Sequence, residues 1–127
     1  MSPILIVEDN VSVNRLYGKA LSNAGYTVIQ AINVGQAIQC LEINAPELIL
    51  LDMNLPDGNG MSVVNHIRES SKLRHTRIIA ISGDPAFGRL AKASGITEFL
   101  LKPIALAMLV ARVDVALSDS ISEANAG

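Results

Sequence analysis

Five polar side chains stand at the ends of four apolar runs, and their types suit one kind of chemistry. Glu8-Asp9 follow Ile4-Leu5-Ile6-Val7, and Asp52 follows Leu48-Ile49-Leu50-Leu51. Ser82 follows Ile78-Ile79-Ala80-Ile81, and Lys102 follows Phe99-Leu100-Leu101. Carboxylates held together repel and raise one another's pKa, a conflict that a hard divalent cation resolves. Magnesium prefers oxygen ligands, keeps several waters, and usually takes one or two protein carboxylates plus a phosphate oxygen. Asp9 and Asp52 are the expected direct ligands. The longer Glu8 is expected to act through water, and the main-chain carbonyl of Asn54 can add a further oxygen. The Ser82 hydroxyl can donate to one phosphoryl oxygen and the Lys102 ammonium can pair with another. With the cation on the third, that is a clamp for a group whose charge spreads over three equatorial oxygens. Asp52 is the expected nucleophile, because a carboxylate can form an acyl phosphate. Singly, Asp9 reads as a helix cap, Ser82 carries no signal, and a lysine before proline reads as a solvated charge. Together, at the ends of four separate runs, those readings require a coincidence.

The elements that position these groups follow from hydrophobic period. The runs at 4–7, 48–51, 78–81 and 99–101, with Thr27-Val28-Ile29, read as strands, most of them buried on both faces. Val13, Leu16, Tyr17, Ala20, Leu21 and Ala24 recur at helical spacing and stop at Gly25. Asn33 can cap a helix carrying Val34, Ala37, Ile38 and Leu41, which ends before Pro46. Leu55 to Gly60 is dense in turn formers, and a helix from about Met61 to Ser70 follows with Val64 and Ile67 inward. Pro85 can open a fourth helix that Gly95 closes, with Gly88 weakening its middle. Leu106, Leu109, Val110, Val113 and Leu117 make a last helix, and the polar tail at 119–127 is expected to fray or to begin a linker. Strand and helix alternate five times, which implies an α/β fold with a doubly wound five-stranded parallel sheet covered by five helices. In such a sheet, ligands bind at the carboxyl ends of the strands, where the five polar groups fall.

Composition narrows the function. A chain of 127 residues fits one domain, placed here at 1–118, and its 3% aromatic content requires an aliphatic core. The net charge of −2 with scattered lysines and arginines leaves no basic stripe for nucleic acid. No run approaches a membrane span, although 104–111 is apolar. The lone Cys40 cannot form an internal disulfide, so a reducing, cytoplasmic setting is expected, with Cys40 a small apolar helix residue rather than a reactive thiol.

The acidic pair Glu8-Asp9, the run Leu-Leu-Asp-Met-Asn-Leu-Pro-Asp-Gly at 50–58, Ile-Ser-Gly at 81–83 and Lys-Pro at 102–103 resemble the receiver domains of response regulators. The resemblance covers roughly residues 3 to 117, and both order and spacing match. It implies the flavodoxin-like strand order 2-1-3-4-5. It also implies phosphorylation of Asp52 by a histidine kinase or a histidine phosphotransfer protein, with Mg2+ at Glu8 and Asp9. Ser82 matches the hydroxyl residue that follows the phosphoryl group, Lys102 the site lysine, and Phe99 the aromatic that changes rotamer on activation. Asn54 and Asp84 match two positions that tune autodephosphorylation, and the Lys102–Pro103 bond is expected cis. Such a domain is a phosphoacceptor switch that acts catalytically only on its own phosphorylation state. Its output would leave by the fourth helix, fifth strand and fifth helix, toward an effector or a second copy.

Two features depart from the family pattern. Gly88 suggests a short or mobile fourth helix, and Ala105-Leu106-Ala107-Met108 carries no charge, leaving Met108 either packed inside or on an apolar output face. Other classes fit less well. The first strand leads into Glu-Asp-Asn-Val-Ser rather than a dinucleotide glycine fingerprint, and no Gly-Lys-Ser/Thr loop is present. An Asp-nucleophile phosphatase would want Asp-x-Asp where Asp52-Met53-Asn54 stands, and a flavin carrier would want loop aromatics. The strongest alternative is a receiver-like docking module that works without phosphorylation, against which the complete set of polar groups argues.

Overall fold

The structure, a computed structural model, describes residues 3–126, with side chains described through Ser118. Strands β1 (Ile4–Val7), β2 (Val28–Ala31), β3 (Leu48–Asp52), β6 (Arg77–Ser82) and β7 (Glu98–Leu101) form one parallel sheet in the order β2-β1-β3-β6-β7. Counting only these five strands, that is the expected 2-1-3-4-5 arrangement. Helices α1 (Val11–Asn23), α2 (Val34–Asn44), α3 (Gly60–Glu69), α4 (Phe87–Ala93) and α5 (Leu106–Ala126) alternate with them. The turn-rich run after Asp52 holds something the sequence does not announce. It is a small hairpin of β4 (Asn54–Leu55) and β5 (Gly58–Asn59), in which Asn54 pairs with Asn59 and Leu55 with Gly58.

Side chains of a strand alternate between faces, and the continuous apolar runs therefore feed two cores. Leu5, Val7, Ile49, Leu51, Ile78 and Ala80 pack with α2 and α3. Ile4, Ile6, Leu48, Leu50, Ile79 and Ile81 pack with Tyr17 and Leu21 of α1 and Leu109 and Val113 of α5. Every residue of β1 and β3 is buried, so the backbone that carries Glu8 and Asp52 has almost no freedom. Truncating a central residue such as Leu50 to Ala is expected to cost about 3 kcal/mol.

The helix ends follow their side chains. Asn10, Asn33 and Asn59 cap α1, α2 and α3 by accepting from the N–H groups of Val13, Gln36 and Met61. Gly60 starts α3 against Met53, where a Cβ would lie 2.6 Å from Met53 Sδ and 3.0 Å from its Cα. No larger residue fits there without moving the loop that leaves Asp52. Helix α4 has seven residues and no side-chain cap bond, which matches the expected short fourth helix.

Three expectations change. Helix α1 buries Asn14, Tyr17, Gly18 and Leu21, while Leu16 is 52% exposed and Ala24 is exposed. The inward face includes a polar residue and a glycine, which a search for apolar spacing passes over. Leu106 is 38% exposed rather than inward, and Met108 is also exposed. Helix α5 continues through Ala126 instead of ending near Leu117. Residues 118–126 contain no glycine or proline to stop it. The end of the expected tail, at 127, lies outside the described residues.

Candidate functional site

All five polar groups arrive at the carboxyl edge of the sheet. Glu8 and Asp9 leave β1, Asp52 ends β3, Ser82 ends β6, and Lys102 follows β7. Carboxylate oxygens of Glu8, Asp9 and Asp52 lie within 4.8 Å of one another, the spacing of a set of oxygen donors around one cation. Glu8 and Asp52 are buried at 2% and 4% exposure, whereas Asp9 is exposed.

Backbone groups hold Glu8, Asp52 and Ser82, and the two buried carboxylates hold the Lys102 ammonium. Asn14 Nδ2 donates to the carbonyls of Glu8 (3.0 Å) and Ala31 (2.9 Å), tying α1 to the ends of β1 and β2. Glu8 Oε2 accepts from the Asn10 N–H at 3.0 Å, and Glu8 Oε1 accepts from Lys102 Nζ at 2.8 Å. Both oxygens of Glu8 are therefore engaged. Asp52 Oδ1 accepts from the Asn54 N–H at 2.9 Å and Oδ2 from Lys102 Nζ at 3.1 Å. Ser82, fully buried, accepts through Oγ from the Asp84 N–H at 3.0 Å, which leaves its hydroxyl proton available. Its carbonyl accepts from the Lys102 N–H at 2.8 Å. The Lys102–Pro103 bond is cis.

The charges are unbalanced in a telling way. The hydrogen bond shared with Glu8, then burial and the Glu8 charge, lift the Asp9 carboxyl above its usual 3.8, although backbone donors and Lys102 pull the other way. Burial works against the Lys102 ammonium, yet its hydrogen bonds and charge pairing with Glu8 and Asp52 push it up to about 12. Three carboxylates thus face one lysine, and the excess negative charge is what a divalent cation would neutralise. Asp9 is the exposed member of the cluster and Asp52 has an oxygen bonded only to Lys102, so the donor set fits magnesium.

Phe99, on β7, is half-buried and faces α4. A Cβ on Gly88 would lie 3.5 Å from the ring's Cδ2, so the glycine leaves the helix open against the aromatic. Around the ring runs a groove of about 520 Å³ that also reaches Arg89, Ala91 and Lys92. A second groove, of about 500 Å³, opens beside Lys102 between Val13, Leu16 and Tyr17 of α1 and Pro103, Ile104 and Leu106. Asn54 and Asp84 flank the site and are both exposed.

Asn14, which holds the main chain of Glu8, and Asp57, in the loop after Asp52, escaped the sequence reading. Asn14 sits at an inward helical position, where a polar side chain was the available signal. Asp57, in the turn-rich run, bonds the start of α2 rather than merely turning the chain.

A family model, the response regulator receiver domain, matches residues 4–114. The polar-differentiation response regulator DivK of Brucella anthropi is 27% identical over 119 residues, covering 92% of this chain and 97% of that protein. The transcriptional regulatory protein KdpE of Staphylococcus aureus is 34% identical over 116 residues, covering 90% of this chain and 49% of that protein. The chain therefore spans nearly all of the one relative and about half of the other. Among solved structures, the chemotaxis response regulator CheY4 of Vibrio cholerae superposes with a TM-score of 0.83 at 27% identity, covering 90% of this chain and 97% of that one. The signal receiver domain of a LuxO repressor protein from Vibrio parahaemolyticus gives 0.88 at 29% identity, covering 99% and 98%.

A doubly wound parallel sheet with an acidic cluster and a lysine at its carboxyl edge defines the class as a signalling domain of two-component systems. The chain belongs to the response regulator receiver domain family.

Proposed function

We propose that the chain is a phosphorylation-dependent switch whose Asp52 accepts a phosphoryl group from a phosphohistidine on a kinase or phosphotransfer protein. The observation that carries this reading is the convergence of Asp52, Glu8, Asp9 and the Lys102 ammonium on one edge of the sheet, with Ser82 on the neighbouring strand. In the transfer, an Asp52 carboxylate oxygen attacks phosphorus. The P–N bond of the donor breaks and its electron pair returns to the imidazole. Lys102, already 3.1 Å from Asp52 Oδ2, needs only a small shift to pair with a phosphoryl oxygen. Ser82 has a hydroxyl proton to donate to another. Asp9, Asp52 and the carbonyl of Asn54 would hold Mg2+, with Glu8 acting through water because Lys102 and Asn10 already use both its oxygens. When bound, the cation supplies neutralising charge for the acidic cluster and the incoming phosphoryl group.

Exposed Leu16 on α1, with Leu106 across the groove, gives the mouth of the site an apolar border that a phosphodonor protein can cover. The readout we assign is a turn of Ser82 toward the phosphoryl group and an inward move of Phe99, altering the α4–β7–α5 face. Leu90, Leu101 and Met108 are exposed on these elements and give that face apolar surface for an effector or a second copy. Asn54 and Asp84 flank the acyl phosphate and would set its lifetime, and we take residues 1–118 as the switching unit. The experiment is an NMR titration with magnesium and beryllofluoride, a phosphoryl mimic. The Ser82 amide and the Phe99 ring should shift together, and neither should move in Asp52→Ala. A Phe99 ring unchanged at saturation would end the switch reading.

A further inference from the structure

The Asp57 carboxylate closes over the start of α2. Oδ1 accepts from the Val34 N–H at 2.8 Å and Oδ2 from the Gly35 N–H at 3.1 Å. Both donors belong to the first turn, where N–H groups lack partners within the helix and the helix dipole presents its positive end. That helix already has a cap of its own, because Asn33 Oδ1 accepts from the Gln36 N–H at 2.8 Å. Asp57 is exposed, so burial does not explain its position. The two backbone donors, Val34 first, hold its carboxyl below the usual 3.8 and keep it ionised.

The hairpin to which Asp57 belongs explains more. It starts one residue beyond Asp52, after Met53, pairs Asn54 with Asn59 and Leu55 with Gly58, and carries Asp57 in its turn. At its base the Asn54 N–H donates to Asp52 Oδ1 at 2.9 Å, and the Gly60 N–H donates to the Met53 carbonyl at 2.9 Å. One end of this short, bonded segment is fixed to Asp52 and the other to α2.

We propose that Asp57 couples the phosphoryl and metal site to the first turn of α2, holding the main chain of Asn54 in place beside Asp52. This rests on the reading of Asp52 given above. It runs in a different direction from the Ser82–Phe99 readout. Helix α2 packs over β1 and β2, whereas Phe99 lies on β7 at the opposite edge of the sheet. Coupling of this kind is reciprocal: a tie that steadies Asn54 for the cation is tightened when the cation binds.

The test uses the whole chain and the metal alone. Hydrogen exchange at the Val34 and Gly35 amides is followed by NMR with and without magnesium, and magnesium affinity is measured in parallel, for wild type, Asp57→Ala and Asp57→Asn. In wild type, magnesium should slow exchange at both amides. In Asp57→Ala the amides should exchange faster and ignore magnesium, and affinity should fall about tenfold, as for other residues that orient a ligand. Asp57→Asn, which keeps one oxygen acceptor, should fall between. If Asp57→Ala lowers only the melting temperature, leaving magnesium affinity unchanged, Asp57 is a helix cap and the coupling is refuted. If Asp52→Ala binds magnesium as well as wild type does, the Asp52 reading fails and takes the coupling with it.

Discussion

Lys102 Nζ donates to Glu8 Oε1 at 2.8 Å, a shorter contact than its 3.1 Å to Asp52 Oδ2. Glu8 acts as the resting anchor of the lysine, which leaves the weaker contact to Asp52 as the one to exchange. Removing the ammonium as Lys102→Met strands two buried carboxylates. The metal-free protein should lose about 2 kcal/mol in urea denaturation, and saturating magnesium should recover part of it. One-third exposure of the Lys102 side chain keeps the loss below that of a wholly buried pair.

The same ion pairs set an alkaline limit. The folded pKa of Lys102, about 12, stands above its ordinary 10.5, so the folded state retains the proton that the unfolded chain loses first. That stabilisation is complete below pH 10.5 and is lost as pH rises through about 12. Subtracting Lys102→Met melts from wild-type melts across that window should show the difference shrinking. A constant difference would mean that the pairing is not there.

Asp9 should behave in the opposite sense to a stabilising carboxylate. Its folded pKa lies above 3.8, so charged Asp9 strains the metal-free site. The contribution favours the fold below pH 3.8 and is lost as pH rises through the folded value. Without metal, Asp9→Asn should therefore melt at or above the wild-type temperature near neutral pH. With saturating magnesium the order should reverse, because wild type gains binding energy that the variant cannot. An equal magnesium increment in both proteins would remove Asp9 from the ligand set.

Asn14→Ala removes two hydrogen bonds to the buried carbonyls of Glu8 and Ala31. The expected loss is about 2 kcal/mol in chemical denaturation, together with weaker magnesium binding, since the main chain of Glu8 is released. Unchanged stability would show that water replaces the amide without cost.

The three central strands and all five polar groups at the sheet edge were legible because buried parallel strands write themselves as unbroken apolar runs and the polar groups follow where the runs stop. The half-buried edge strands β2 and β7 carry a weaker pattern, and the strand order came from the family resemblance. The same logic missed what holds the site. Asn14 and Gly18 face inward on α1, so apolar spacing pointed to Leu16 and Ala24 instead. Asp57 earns its two bonds from Val34 and Gly35, distant in sequence, which no local pattern encodes. The β4–β5 hairpin, two residues a side, is too short to show a period.

The most direct measurement is an intact mass after incubation with magnesium and acetyl phosphate, with Asp52→Ala and an EDTA-treated sample alongside. A single phosphoryl adduct on wild type, absent from both controls, is the predicted result. An adduct that survives in Asp52→Ala would place the chemistry on another residue and contradict the assignment of Asp52.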